Sequence, residues 1–122
     1  MTFDALLVEY MQFRKRMDNI LSRPIEDEIG LLQAELGCLE SARWQAGKFR
    51  ASMIGHYYAK KREAMQRLVL DGMAKTAIQD FAKAEANKEL WAREDSHALY
   101  DSIDSRSWRI AQLLKMTRPG AS

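Results

Sequence analysis

The chain has 122 residues, 47% of them apolar and 30% charged, with a formal net charge of +2 at neutral pH. That balance fits one folded domain with a modest core and excludes a disordered polyelectrolyte or a low-complexity fibre. Ala, Leu, Met, Glu, Lys, Arg and Gln dominate beside two prolines and one cysteine, so an all-α fold is predicted and an internal disulfide is excluded.

Residues 3–22 place Phe3, Leu6, Leu7, Tyr10, Met17, Ile20 and Leu21 at mostly three- and four-residue steps, the signature of an amphipathic helix. Thr2 suits its N-cap, and Arg23-Pro24 should end it, because the residue before proline avoids helical geometry. Arg14, Lys15 and Arg16 read as a basic cluster on its outer side. Pro24, followed by Glu26, Asp27 and Glu28, suits the first turn of a second helix. Its apolar stripe runs from Leu31 through Leu39, Ala42, Ala46, Phe49, Met53, Tyr57 and Ala64 to Leu68, with a stop at Asp71-Gly72. Such a helix is ~70 Å long at ~1.5 Å per residue. Gly47 and Gly55 are where it should break or admit a close neighbour. A helix this long in so small a chain points to self-association.

A third segment opens on Thr76-Ala77-Ile78-Gln79, which fits a capping box, and runs to about Met116 with a break expected near Ser96. Ile78, Phe81, Ala82, Leu90, Trp91, Leu99, Ile103, Ile110, Leu113 and Leu114 make its inner side. Trp91 and Trp108 are expected in the core or a subunit contact, Cys38 likewise, and Glu94-Asp95 on the surface. The expected organisation is one helical domain over residues 1–116 and a flexible tail over 117–122.

Catalytic chemistry finds no foothold. His56 and His97 are far apart, and there is no Gly-rich phosphate loop or nucleophile elbow. A non-enzymatic protein needing no metal or nucleotide is expected. With no apolar run near ~18 residues and no leader pattern, a cytoplasmic location is expected.

Charge is unevenly distributed. Residues 1–40 carry net −4, 41–75 net +6, 76–104 net −4 and 105–122 net +4. Blocks of this kind suit a charged ligand on one surface or head-to-tail contact between copies. The basic block centres on LESARWQAGKFRASMIGHYYAKKR, residues 39–62, where six of 24 residues are Arg or Lys and Trp44, Phe49, Tyr57 and Tyr58 are interleaved. On a helix Arg43, Arg50, Tyr57 and Lys61 fall within roughly 40° of one another, while Lys48 and Arg62 share a second row. Lys60 extends the block. Cations that neutralise phosphates, beside aromatics that stack on unpaired bases, suit single-stranded nucleic acid. The same pattern equally suits a solvated flank of an apolar stripe, with basic stems snorkelling outward.

Two stretches stand out as motifs: Glu40, Arg43, Ala46, Lys48 and Arg50, followed by the Tyr57-Tyr58 pair, and Asp101, Ile103, Ser105, Arg106, Trp108, Ile110 and Leu113, with Lys75-Thr76 between them. Together they resemble the UvsY family of phage recombination mediators. The resemblance implies a homo-oligomer that binds single-stranded DNA and helps a RecA-like recombinase displace single-strand-binding protein, in the host cytoplasm for a phage-encoded chain. It implies DNA contact at Lys48 and Arg50 and self-assembly through Ile103, Trp108, Ile110 and Leu113. Arg43, Lys60, Lys61, Arg62, Tyr57, Tyr58 and Trp44 are the further candidates for DNA contact. The competing readings are a helical scaffold binding an acidic partner and a small double-stranded DNA-binding packaging subunit.

Overall fold

The computed structural model describes residues 1–117, which form four helices: α1 (Phe3–Leu21), α2 (Ile29–Leu70), α3 (Lys75–Glu85) and α4 (Asn87–Thr117). The expected tail falls outside the described residues except for Thr117, which closes α4. Among the described residues no helix is long and apolar enough to cross a membrane.

Two of the caps read from the sequence, at Thr2 and Gly72, are present. The Thr2 hydroxyl accepts the Ala5 N–H at 3.2 Å and so satisfies one of the orphan donors of the first turn. At the other end of the pattern, Gly72 takes φ +79°, which costs glycine nothing. Its N–H donates to the Val69 carbonyl and that of Met73 to Leu68, both at 3.1 Å, closing α2 in a Schellman turn.

The boundaries between these caps differ from expectation. α2 begins at Ile29 rather than Pro24, with Glu28 extended at its N-cap. The reason lies in α4. The Arg106 guanidinium donates to the carbonyl oxygens of Leu21 at 3.3 Å and Arg23 at 2.8 Å, and its Nε donates to Glu35. Those bonds hold the α1–α2 connection outside helical geometry. α2 does not break at Gly47 or Gly55. A Cβ on Gly47 would meet the Tyr100 ring at 3.6 Å, an ordinary contact. Packing along the whole flank offsets the ~1 kcal/mol that each glycine costs relative to alanine. The break in the third segment falls at Ala86, not Ser96. Ala86 departs from helical geometry for one residue (φ −93°, ψ 20°) while its N–H and C=O stay bonded to Ala82 and Leu90. Ser96 is buried inside α4 and donates to the Arg93 carbonyl. Thr76 lies within α3, whose N-cap is Ala74 with no side-chain bond, so no capping box forms.

α3 and α4, 11 and 31 residues long, fold back along the 42 residues of α2. The inward stripe of α2 is therefore covered within one chain, and its length does not by itself demand a partner. α1 lies antiparallel to α2 and parallel to α4. Phe3 meets His56 and Phe13 meets Phe49, while Asp4 meets Lys88 and Leu21 meets Arg106. One core joins α1, α2 and α4 around Tyr10, Phe13, Leu39, Met53, Ile103 and Ile110. A smaller one joins α2 and α3 around Ala64, Leu68, Ile78 and Ala82. α1 does not reach α3, so the end of the molecule beyond His56 is only two helices thick.

Several expected placements are corrected. Ile103 and Ile110 are fully buried inside the chain and face no second subunit, whereas Trp108 is 67% exposed and Leu113 half-buried. Phe81 is exposed and not inward, and Trp91 and Cys38 are exposed too, which removes the core and leaves a subunit contact as their expected placement. Arg14 turns inward to Asp95, which is 15% exposed and not a surface carboxylate. Ile103→Ala should lower the unfolding free energy by about 2–5 kcal/mol in urea titration, because it leaves a cavity. Trp108→Ala should stay within about 0.5 kcal/mol.

Candidate nucleic-acid interface

α2 advances about 100° per residue, so consecutive side chains serve different neighbours. Phe49 faces α1, where its ring meets those of Tyr10 and Phe13 at centroid distances of 5.5 and 5.3 Å. Arg50, one step round, faces α4 on the side that α1 leaves bare. Its guanidinium lies 4.7 Å over the Tyr100 ring, and Nη1 is 3.4 Å from His97 Nδ1. Farther along the seam between α2 and α4 the Arg93 guanidinium sits 5.3 Å from the Tyr57 ring and 5.4 Å from that of Tyr58. Lys61 approaches Tyr57 from α2 itself, at 6.0 Å. Among the described residues Arg50, Arg93 and Lys61 have no carboxylate partner.

The candidates from the sequence divide between this seam and the outer crest of α2. Lys48 and Arg50 lie roughly 200° apart around the helix and do not form one patch. Lys48 is on the crest, with Nζ 4.4 Å over the ring of Trp44, which is 68% exposed. Arg62 is exposed, Lys60 and Lys61 are half-buried, and Tyr58 is 47% exposed. Tyr57 is only 4% exposed, so its faces serve the core and the two cations and are not open to a base. Arg43 is tied to Asp104 at 2.9 Å and closes one end of the seam. That pair is about half exposed, worth ~0–1 kcal/mol, and an incoming phosphate can compete for the guanidinium.

Arg93, His97 and Tyr100 are the site residues that sequence reasoning missed. Their spacing, together with Asp104, does place them on one face of α4. Nothing local, however, says that this face lies beside the basic row of α2. Arg106, part of the second family-like motif, serves the fold. Its side chain is 10% exposed, and its donors go to Glu35 and the two carbonyls of the α1–α2 connection. On the α1 side, Tyr10 donates to Asp95 beside Arg14. Burial, reinforced by that bond, raises the Tyr10 hydroxyl well above its ordinary value and keeps it a donor. No group of three His, Cys, Asp or Glu side chains among the described residues is placed to hold a metal ion.

Comparison with protein-family models, curated proteins and solved structures finds no match to this chain. Fold and surface together define an all-α bundle of four helices carrying a strip of cations stacked on aromatic rings.

Arg106→Ala should cost about 2–3 kcal/mol in chemical denaturation, through the stranded Glu35 and two carbonyls that lose their donor. Arg50→Ala, whose donors are not committed to the fold, should cost less than about 1 kcal/mol.

Proposed function

We propose that the chain binds single-stranded DNA as a homo-oligomer and acts as a recombination mediator, helping a RecA-like recombinase replace single-strand-binding protein on that DNA. One observation carries the DNA part: the Arg50 and Arg93 guanidiniums lie 4.7–5.4 Å from tyrosine ring centroids along the seam between α2 and α4, with no carboxylate partner among the described residues. Stacking on a ring orients a guanidinium without neutralising it, so its outward N–H groups remain available to phosphate oxygens. Exposed Tyr58 beside Arg93, and Trp44 beside Lys48, offer faces for unpaired bases. Duplex DNA hides those faces. The recombinase and the displaced single-strand-binding protein enter through the resemblance of residues 40–50 and 101–113 to the UvsY family.

In this reading a strand lies along the α2–α4 seam, its phosphates on Arg50 and Arg93. Lys48 and Trp44 take the strand where it crosses the crest of α2. Each contact is weak, and several copies acting on one strand raise the effective affinity. The cation count sets the salt dependence, since each neutralised phosphate contributes about 0.7 to the log–log slope on a single strand.

Fluorescence anisotropy with labelled oligo-dT and a matched duplex, at two salt concentrations, tests this. The single strand should bind at least about tenfold more tightly than the duplex. Arg50→Ala/Arg93→Ala should lower the salt slope by about 1.4. Trp44→Ala should weaken binding by roughly five- to a hundredfold, as the loss of a stacking platform requires. Equal affinity for duplex, or binding indifferent to all three substitutions, rejects the reading.

A further inference from the structure

The two ends of α2 carry complementary surfaces that cannot meet within one chain. At the C-terminal end, beyond the reach of α1, a groove of about 850 Å³ is floored by Met65, Val69 and Leu70 and flanked by Lys61 and Arg62. α3 packs beside this stretch, against Ala64 and Leu68, and adds Gln79 to one wall of the groove without covering Val69 and Leu70. Val69 is 59% and Leu70 86% exposed. At the N-terminal end the extended residues 24–28 present Glu26, Asp27 and Glu28, all exposed, directly before Ile29 and Leu31, which are 43% and 48% exposed. Among the described residues none of these three carboxylates has an ion-pair partner, nor do Lys61 and Arg62. Glu28 holds the N-cap position without making a capping bond.

One surface is apolar with basic flanks and the other apolar with acidic flanks. They lie roughly 45–60 Å apart along a single rigid helix, at ~1.5 Å per residue. We infer that the groove at the C-terminal end of α2 receives the acidic N-terminal end of α2 from a second copy of this chain. Ile29 or Leu31 of the incoming copy covers Val69 and Leu70, and its carboxylates meet Lys61 and Arg62. The contact joins different surfaces of the two copies, so the pair keeps one free groove, on one copy, and one free acidic end, on the other. Such a heterologous contact propagates into a closed ring or a filament. Lys61 and Arg62 thereby serve assembly, Tyr58, which lines the groove and also touches Arg93, stands at the border of the two surfaces, and Arg50, Arg93 and Lys48 are left for the polynucleotide. The inference rests on the self-association part of the proposed function and not on its DNA part.

Sedimentation velocity without nucleic acid tests it. The wild-type chain should sediment above its 14.1 kDa monomer mass. Lys61→Glu/Arg62→Glu alone and Glu26→Lys/Glu28→Lys alone should each be monomeric, their association weakened at least about tenfold by unlike-to-like charge exchange. An equimolar mixture of the two should associate again, because each altered surface then meets an oppositely charged partner. Leu70→Glu, at a side chain outside the core, should be monomeric with unchanged circular dichroism. A wild-type chain that stays monomeric overturns both this contact and self-association. A wild-type oligomer that survives the substitutions, or a mixture that stays monomeric, overturns this contact alone.

Discussion

The apolar stripe of α2, from Leu32 to Leu68, has to be covered over roughly 55 Å of helix, and the rest of the molecule is arranged to do so. A single turn at Gly72 reverses the chain, and α3 with α4 then runs back beside α2 for its full length. α1, at 19 residues, spans only about 28 Å. It thickens the N-terminal part of the pair to three helices and stops near His56. The long hairpin sets the register between α2 and α4, and that register puts Tyr100 under Arg50 and Arg93 between Tyr57 and Tyr58. The shortness of α1 leaves the far end of α2 with apolar side chains in solvent. The cationic strip thus follows from the register of the hairpin, and the exposed apolar end from the shortness of α1.

What the sequence made legible follows from how local each determinant is. The Thr2 cap, the Gly72 stop and the stripe of α2 depend on neighbours within a turn or two, and all are present. The kink at Ala86 has no such signal, since alanine is the best helix former and nothing near it breaks the pattern. The start of α2 was misplaced because the residue that decides it, Arg106, comes more than 80 positions later. Phe13 shows the same limit on a smaller scale. It is 3% exposed in the main core, yet its neighbours Gln12 and Arg14 gave the stretch a polar look.

The candidate site was half legible for the same reason. The row of Arg43, Arg50 and Lys61 on one flank of α2 is a matter of helical period and was readable. Its partners on α4 required the fold. The fold also sorts residues that the sequence treats alike. Arg106 and Arg50 each sit in a motif of family-like appearance. Arg106 is sealed against Glu35 and two carbonyls. Arg50 touches a ring and an imidazole and keeps most of its donors outward. Motif membership is silent on which of these a given arginine becomes, and burial with partner type decides it.

The partner type also bears on what the strip can do. A guanidinium held by a carboxylate is oriented but neutralised, so a phosphate must first displace the acid. A guanidinium held on a tyrosine face is oriented by an attraction of ~0.5–1 kcal/mol and remains fully charged. Ordering a long side chain in advance lowers the entropy lost when a ligand arrives, typically ~0.5–1.5 kcal/mol for each chain immobilised. Along the seam Arg50 and Arg93 are held in the second way, and only Arg43, at one end, in the first. A purely solvated basic face would leave these side chains to water, and a stability network would pair them with acids. Asp101, on α4, pairs with His97 at 3.4 Å and not with Arg50. Arg50 and Arg93 rest on rings, so both guanidiniums are positioned without losing their charge to an acid.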